Sequence, residues 1–498
     1  MHLNLPTPPL SLQFGGALLL VLGLYRLSRK PRHPPLPPSP PADALIGHLK
    51  LAPKSDFDVF FYKMGQIYGR IMHLNFMGSI LIVVNDVQTA IDLLDKRSAN
   101  YSCRGRIRVF ECMGWTKNLG FLQYGKDFQL HRRMYQEFFN KNASEKYQAI
   151  QLREARTLTY NLATDPKNME NHFNLFSTAI ILDIVHGHRA KSSTDPLVKL
   201  ADEATAIARQ VGGTESGILD MFPFLVRMPS WFPGTYYARF ARAKAPTFRA
   251  LCDYPVGLVR EKMAQGTAKP SLVSSYLDAL QNGNEFGFEF GEDDVKGVAT
   301  SAYFAGAETA RAQEELDRVL GEGRLPEFSD RASLQYLECI LQETLRCNHP
   351  APTGIPHRVL EDDIYDGMFI PKGSVLIPNI RGMTWDEKIY SDPKSFDPTR
   401  FLPKPEGRGE PLPAATWGFG RRICPGRHVG DASLWIAMAT ILSTLKISKA
   451  VDGEGKEITP EVEFFMTMAS RPKPFPYQIQ PRSEVAREMI RQVELDTD

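Results

Sequence analysis

One cysteine in this chain has neighbours that suit metal chemistry. Cys424 lies in a short segment, residues 416–426, that also holds several glycines and two arginines. Glycine adopts backbone angles that other residues avoid, so such a segment can fold tightly and turn its amide groups towards one sulfur. Amides directed at a sulfur stabilise the thiolate, which is the form of cysteine that binds metal. An apolar run from Ala432 to Leu445 follows and predicts a helix that anchors the loop.

The residue types leave three uses for Cys424 open. Most cysteines of intracellular proteins are small buried hydrophobes without chemistry. Zinc is a second use, because His428 follows four residues later. Structural zinc needs four ligands that usually come as two close pairs, and Cys339, Cys347 and His349 do not have that spacing. The third use is a proximal thiolate ligand to haem iron, with the arginines binding the propionates.

The segment resembles the haem-binding signature of the cytochrome P450 haem-thiolate monooxygenases, Phe-Gly-x-Gly-x-Arg-x-Cys-x-Gly. Trp417 stands where phenylalanine is usual, and the remaining positions match. The resemblance implies that Cys424 is the axial ligand of the iron of haem b and that Arg422 binds a propionate. It also implies that Trp417, Gly418 and Gly426 shape the loop around the cofactor.

Two further segments resemble parts of the family that bind the haem propionates. Residues 124–133 are similar to the start of a helix that carries Trp-x-x-x-Arg. Arg132 matches the arginine, and Phe128 replaces the tryptophan. Phenylalanine has no N–H group, so one hydrogen bond to a propionate is expected to be missing. Arg358, in a Pro-His-Arg sequence, resembles another propionate contact.

A charged pair lies on the predicted helix from Leu334 to Cys347. Glu343 and Arg346 are three residues apart, so they share one helix face and can pair. Together with Arg400, which follows a Pro-Thr sequence, they resemble the family's buried charge triad. The resemblance implies a structural role, in which the triad holds the haem loop.

The oxygen side of the site is predicted on a helix from Glu292 to Ala310. Its sequence includes Gly306, Glu308 and Thr309, and resembles the family's oxygen-binding helix. A glycine there leaves room for a ligand, and an acid beside a hydroxyl can relay protons. The resemblance therefore implies that these three residues are catalytic.

The resemblance is interrupted after Ala310. About twenty residues that the family carries at this point, or ~30 Å of helix, are absent from the chain. The charged segment that follows cannot replace their apolar packing. We therefore expect Ser301 to Leu320 to form one continuous helix whose last turns are poorly buried.

Composition limits the class of protein. The chain has 498 residues, 43% of them hydrophobic, which is enough for a large core. Its formal net charge is only +2, so nucleic acid is not the expected partner. Six cysteines spread over this length form no disulfide framework and indicate a reducing compartment.

The N-terminus predicts a membrane anchor. Leu10 to Tyr25 is apolar and uncharged, and four basic residues follow within a few positions. Basic residues on that flank place the following chain in the cytoplasm. We expect residues 1–30 to be a single-pass anchor in the endoplasmic reticulum membrane and residues 31–50 a proline-rich hinge. Residues 51–482 would form the haem domain, and residues 483–498 a polar tail.

Several shorter segments complete the expected fold. Ile71–Phe76 and Ser79–Val84 are predicted to form a hairpin, followed by an amphipathic helix over residues 86–97. The apolar, aromatic segment 221–234 is either a buried loop or a contact with the membrane surface, and its tryptophan and arginines favour the membrane. Residues 464–468 resemble the loop that closes the family's substrate pocket.

The resemblance implies a mainly α fold with small β-sheets, the cytochrome P450 fold. It implies monooxygenation of an apolar small molecule, similar to fungal members of secondary metabolism. Electrons would come from NADPH through a flavoprotein reductase that docks on a basic patch of Arg133, Arg421, Arg427 and His428. Two other functions stay open: a haem-thiolate isomerase or dehydratase without external electrons, and a catalytically defective haem protein caused by the gap.

Overall fold

The computed structural model describes residues 33–53, 55–211, 218–300, 311–321, 323–460, 463–466 and 470–497. The α-helices of these residues are α1 (Phe57–Tyr68), α2 (Val87–Ala90), α3 (Ser98–Tyr101), α4 (Arg108–Cys112), α5 (Lys126–Phe139), α6 (Lys141–Glu145), α7 (Gln148–Thr164), α8 (Met169–His186), α9 (Pro196–Arg209), α10 (Ile218–Met221), α11 (Tyr236–Ala264), α12 (Leu272–Asn282), α13 (Glu292–Ala299), α14 (Arg311–Leu320), α15 (Gln335–Cys347), α16 (Ile380–Thr384), α17 (Arg427–Thr444) and α18 (Glu484–Thr497). The strands are β1 (Ile71–Phe76), β2 (Ser79–Val84), β3 (Cys103–Arg104), β4 (His357–Arg358), β5 (Asp363–Tyr365), β6 (Met368–Ile370), β7 (Val375–Pro378), β8 (Leu445–Lys449), β9 (Phe464–Met466), β10 (Ser470–Pro472) and β11 (Tyr477–Pro481). The predicted mainly α fold with small β-sheets is confirmed.

The largest sheet joins segments that are far apart in the sequence. Its five strands have the order β1-β2-β7-β4-β3. The predicted hairpin of β1 and β2 is confirmed, with Ile71 opposite Val84 and Phe76 opposite Ser79. Strand β3 pairs with β4 so that Arg104 lies opposite His357. This pairing brings a segment that precedes α5 against one that follows α15.

The helix predicted after the hairpin has two parts. Asp86 caps α2, because its side chain accepts a hydrogen bond from the Thr89 amide. A π-helix then runs from Ile91 to Lys96. Leu93 and Leu94 are buried in its wider turns. The backbone of this π-helix faces the cysteine loop, because the Leu94 carbonyl lies next to Gly420.

The main core surrounds α17, the helix that follows the cysteine loop. Every residue from Trp435 to Thr444 is buried. A helix that is buried on all sides lies at the centre of a large core. Helices α7, α14, α15 and α18 pack against it. The loop that holds Cys424 is thus attached to a central, buried helix.

The C-terminal segment, predicted as a polar tail over residues 483–498, contains a helix that packs on the core. Ala486, Ile490 and Val493 are buried where α18 contacts α7 and α17. These residues recur every three or four positions along the chain, so charged residues occupy only the outer face. The helical spacing of these apolar residues could have indicated the helix, but the many charged residues of the segment concealed it.

The described part of the proline-rich segment is bound to the sheet. The Pro37 carbonyl accepts a hydrogen bond from His73 Nδ1 at 2.5 Å, and the Pro40 carbonyl accepts one from His48 Nε2 at 2.9 Å. The backbone amides of His73 and Phe369 donate to two further carbonyls of the segment. Four hydrogen bonds therefore hold the described part of the predicted hinge, residues 31–50, against its neighbours.

The structure also corrects the burial predicted after the interrupted helix. Helix α13 ends at Ala299, and residues 301–310 lie outside the described residues, so the predicted continuity is not tested. Leu316 and Leu320 of α14 are both buried in the main core. The Glu315 carboxylate accepts hydrogen bonds from the backbone amides of Tyr336 and Leu337 at the start of α15. The prediction of poorly buried last turns was therefore wrong, because α14 has an apolar face of its own.

The predicted N-terminal anchor, residues 1–30, lies outside the described residues. Among the helices that are described, none combines the length and the apolar character that crossing a membrane requires. In the aromatic segment 221–234, Trp231 is 79% exposed and Phe224 is 50% exposed. The segment is therefore not the buried loop that was one of its two interpretations.

Candidate functional site

The cysteine loop is a tight turn clamped against the π-helix. The Cys424 amide donates to the Trp417 carbonyl at 2.7 Å, which closes the loop on itself. Gly418 has φ +76° and Gly420 has φ +51°, angles that side chains disfavour. A Cβ atom on Gly420 would lie 2.2 Å from the Leu94 carbonyl oxygen. Glycine at position 420 is thus required by space as well as by backbone angle.

Gly426 has a different role from the other two glycines. Its φ of −86° suits any residue, and no atom outside its own neighbourhood would meet a Cβ there. Its amide donates a hydrogen bond to the Cys424 sulfur. Burial raises the pKa of the Cys424 thiol, while this amide and the charges of Arg132 and Arg427 act in the opposite direction. Among the described residues, the Gly426 amide and the two cations are thus the groups that favour a thiolate.

Arg422 is buried and turned towards the polypeptide backbone. Its guanidinium donates to the carbonyls of Ser102, at 2.7 Å, and of Leu119 and Leu122. It also lies over the Phe128 ring, with Cζ 3.6 Å from the ring centroid. Burial lowers the pKa of Arg422 to about 10, and the charge of Arg132 adds to this effect. A cation in this position needs an anion.

A second buried arginine, which the sequence did not single out, lies beside Arg422. Arg104 donates to the carbonyls of Gly120 at 3.1 Å and Ile355 at 2.5 Å. Burial lowers the pKa of Arg104 well below its ordinary value, and the charge of Arg422 contributes. Two like charges this close oppose each other unless an anion lies between them. Arg104 comes from a two-residue strand without a motif, so only the sheet pairing reveals it.

Strand β4 places a different residue at the cluster from the one predicted. Arg358 is exposed, whereas the preceding residue, His357, is buried opposite Arg104. Side chains alternate between the two faces of a strand, so only one of these neighbours can face the arginines. Burial, followed by the charges of Arg104 and Arg422, holds the pKa of His357 well below its usual value. The structure thus does not bring Arg358 into the site.

Arg132 links α5 to the loop. Its Nη1 atom donates to the carbonyl of Ile423 at 2.5 Å, one residue before Cys424. Burial lowers the pKa of Arg132, although the Cys424 thiolate would raise it. Phe128, which was also predicted to lie at the site, is buried, and its ring packs against the Arg422 guanidinium.

These groups fit a haem with its two propionates. In the described part of the chain, Arg104, Arg422 and Arg132 donate only to neutral carbonyls and have no carboxylate partner. An arginine cluster of this kind matches an anion with paired oxygens. Zinc does not fit, because no three histidine, cysteine or acidic side chains of the described residues lie close enough together to hold a metal ion. All six cysteines are free thiols.

The structure brings the three residues of the predicted charge triad together. Glu343 accepts from Arg346 Nε at 2.7 Å and from Arg400 Nε at 3.0 Å, and all three side chains are fully buried. Arg400 also pairs with Glu410 at 2.6 Å. The remaining guanidinium hydrogens reach backbone carbonyls, among them that of Ser395. Because every charge has partners, the cluster can remain ionised in the interior.

The other predicted site residues are placed as follows. Trp417 is half-buried, packs on the main core and lies over Gly430. Gly306, Glu308 and Thr309, the predicted catalytic residues, lie outside the described residues. In the basic patch, Arg421 is exposed and lies over the Tyr124 ring, and Arg427 and His428 are half-buried. Arg133 lies 4.5 Å from the centroid of the Phe288 ring.

A mainly helical fold with a cysteine loop and several buried arginines beside it is the arrangement expected of a haem-thiolate protein. Residues 37–477 match the family model described as Cytochrome P450, and the chain belongs to this family of monooxygenases. Cytochrome P450 monooxygenase 136 of Postia placenta is 36% identical over 458 residues, covering 87% of this chain and 86% of that protein.

Relatives from other fungi show a similar degree of identity. Cytochrome P450 monooxygenase claR of Ampulloclitocybe clavipes is 35% identical over 473 residues, with 90% of this chain and 87% of that protein covered. Cytochrome P450 monooxygenase ppsD of Aspergillus oryzae is 34% identical over 477 residues, covering 90% and 89% of the two chains. In each case the alignment is longer than the number of residues of this 498-residue chain that it covers. The relatives therefore carry residues that this chain lacks.

Proposed function

We propose that this protein uses a haem bound at Cys424 to insert one atom of dioxygen into an apolar small molecule of fungal secondary metabolism. The electrons come from NADPH through a flavoprotein reductase. The observation that carries the proposal is the group of Arg104, Arg422 and Arg132 around the Cys424 loop, which matches an anionic cofactor with a thiolate ligand. The expected product is a hydroxylated substrate, with water formed from the second oxygen atom.

The bound haem would supply the activation of dioxygen, which an electron-rich thiolate ligand promotes. The residues of the chain hold and orient this group. Cys424 provides the sulfur, and the Gly426 amide limits its charge by donating one hydrogen bond. Arg104 and Arg422 bind propionate, which explains why two cations share one buried region. We propose that the Glu308 carboxyl and the Thr309 hydroxyl deliver protons on the opposite side.

We also propose that the protein works at the endoplasmic reticulum membrane, with the catalytic domain in the cytoplasm. Leu10 to Tyr25, followed by basic residues, supports an anchor. The exposed Trp231 and Phe224 support a second contact with the lipid surface. Arg421, exposed on the cysteine side of the molecule, supports a docking surface for an acidic reductase domain.

The test begins with the reduced carbon monoxide difference spectrum of the full-length protein in membranes. Wild-type protein is expected to show the band of a thiolate-ligated haem, and the Cys424→Ser variant is expected to lack it. Incubation with NADPH, a reductase and a panel of apolar compounds follows. Incorporation of label from heavy-isotope dioxygen into a product supports the proposal. Product formation without NADPH would instead indicate an isomerase or dehydratase.

A second candidate is a haem protein that does not turn over. The residues that the relatives carry and this chain lacks favour it, together with the interruption of the family pattern after Ala310. This candidate predicts a normal thiolate band but no substrate-dependent NADPH consumption. Insertion after Ala310 of the corresponding segment of a relative, such as claR, would then restore NADPH consumption.

A further inference from the structure

We propose that His131 is a positioning residue for the Cys424 loop. It ties α5, the helix that carries Arg132, to the first turn of α13, and so keeps the cysteine sulfur in the position of an iron ligand. The inference rests on the proposed haem site and assigns a role to a residue that contacts neither the cysteine nor the arginines of that site.

His131 is fully buried, with 0% of its surface exposed. Its Nε2 atom lies 2.9 Å from Asp294 Oδ1, close enough for a hydrogen bond. Its Nδ1 atom has no partner in the described part of the chain. A carboxylate oxygen only accepts hydrogen bonds, so His131 Nε2 is the donor. Burial lowers the pKa of His131. One short hydrogen bond thus defines the orientation of this side chain.

Asp294 is a fixed acceptor at the start of α13. Its Oδ2 atom accepts from the Gly291 amide at 3.0 Å, and its Oδ1 atom accepts from Lys117 Nζ at 3.0 Å. Burial would raise the pKa of Asp294, but hydrogen bonds from His131, Gly291 and Lys117 hold it below the usual value. The carboxylate therefore joins α5, the start of α13 and the segment before α5 at one point.

Arg132, the residue after His131 in α5, contacts the cysteine loop instead of α13. Arg132 donates to the Ile423 carbonyl, which is bonded to the amide nitrogen of Cys424. Successive residues of an α-helix point about 100° apart, so His131 and Arg132 face different neighbours from one turn. A small rotation of α5 about its axis would move Arg132 relative to the loop. The bond from His131 to Asp294 opposes that rotation.

Other contacts of α5 do not replace this bond. Tyr276 donates to the Met134 carbonyl at 3.0 Å and holds the same helix, but it binds the backbone rather than a side chain. Tyr135 donates to the Val298 carbonyl in the last turn of α13. These contacts hold α5 in place, whereas His131 is the residue beside Arg132 that carries a side-chain bond to a carboxylate.

The experiment compares four full-length proteins: wild type, His131→Leu, His131→Gln and Tyr276→Phe. Leucine removes the donor and fills the volume, and glutamine keeps a donor at a similar reach. Tyr276→Phe removes a different buried hydrogen bond to the same helix. The readouts are the fraction of reduced protein with the thiolate band of its carbon monoxide complex, the haem midpoint potential and the rate of haem transfer to apomyoglobin. Far-ultraviolet circular dichroism confirms that each variant is folded.

We expect His131→Leu to release haem about tenfold faster than wild type and to lose part of the thiolate band, because a hydrogen bond to a charged group is removed. The midpoint potential should rise as the thiolate weakens. His131→Gln should restore most of the wild-type values, and Tyr276→Phe should leave the potential unchanged. Equal shifts in His131→Leu and Tyr276→Phe, or no shift in His131→Leu, would overturn the inference.

If His131→Leu does not fold, Asp294→Asn provides the same comparison, because it weakens the acceptor and leaves His131 in place. The Asp294→Asn variant should then follow the pattern expected for His131→Leu, and wild-type behaviour would overturn the inference. A wild-type protein that takes up no haem would overturn the proposed function and this inference together. A wild-type protein with a thiolate band beside an unaffected His131→Leu variant would overturn the inference alone.

Discussion

The guanidinium of Arg422 lies over the ring of Phe128, with Cζ 3.6 Å from the ring centroid. The two residues are almost 300 positions apart and belong to the cysteine loop and α5. A cation above an aromatic face in a buried region is a favourable contact. In this protein the phenylalanine therefore supports the arginine that we propose binds haem, even though it cannot donate a hydrogen bond itself.

Phe128→Leu should weaken haem binding. Leucine keeps the apolar packing but removes the ring face, and a desolvated cation–π contact contributes about 2 kcal/mol. We expect haem transfer to apomyoglobin to become at least tenfold faster. Phe139→Leu, a buried phenylalanine of the same helix that packs against Tyr135, is the matched control. Equal acceleration in both variants would show that helix packing, rather than the arginine contact, is responsible.

Glu343→Gln should destabilise the protein severely. The change leaves Arg346 and Arg400 buried with a neutral partner, and breaking such a pair costs about 3–5 kcal/mol. We expect little soluble, haem-loaded protein and a strongly lowered melting temperature. Glu338→Gln on the same helix is the control, because its pair with Arg331 is partly exposed and should contribute less than about 1 kcal/mol. Similar losses in the two variants would contradict a special role of the buried triad.

The buried His186 should make the fold sensitive to acid. Burial, and to a smaller extent the charge of His188, lower the pKa of His186 from 6.5 to about 3. Between about pH 3 and pH 6.5, His186 therefore binds a proton in the unfolded chain but not in the folded chain. The stability that the neutral His186 allows is therefore fully present above pH 6.5. As the pH falls below 6.5, the free energy of unfolding decreases by up to about 1.4 kcal/mol per pH unit because of this residue.

His186→Leu tests this pH dependence. The melting temperature of the variant should fall less than that of wild type between about pH 7 and pH 5, within the window opened by the lowered pKa of His186. His33→Gln, at an exposed position, measures the effect of removing a histidine elsewhere. Parallel curves for wild type and His186→Leu would rule out the assignment.

Arg421→Glu should weaken the interaction with the reductase. Arg421 is exposed beside the cysteine loop, so a reversed charge there should reduce association more than the chemistry that follows. We expect the apparent KM for reductase to rise about tenfold at low salt, with a smaller effect at high salt. Lys372→Glu, an exposed site in the turn between β6 and β7, is the charge-matched control.

Local sequence patterns predicted much of the fold. The hairpin of β1 and β2 and the helix that ends at Cys347 follow from alternation and helical periodicity, which are set by nearby residues. The same reasoning missed α18, since the many charges of the segment concealed buried residues at helical spacing such as Ala486 and Ile490. It also misjudged α14, whose Leu316 finds apolar partners only in the folded core.

Motif spacing predicted part of the site. Cys424, Arg422 and Arg132 lie within recognisable patterns, and the structure places them near one another. Arg104 could not be found in this way, because its position depends on the pairing of β3 with β4. The Pro-His-Arg sequence likewise contains both His357 and Arg358, and only the register of the strand shows which of the two faces the arginines.

The sequence by itself determined the class of chemistry and the helical character of the chain. A cysteine among glycines and arginines, a charged pair three residues apart and the periodic apolar runs are properties of adjacent residues. The tertiary structure decided which charges meet. The contacts of Arg422 with Phe128, of Arg104 with Ile355 and of His131 with Asp294 span between 163 and nearly 300 residues, and only the packed fold brings their atoms within reach.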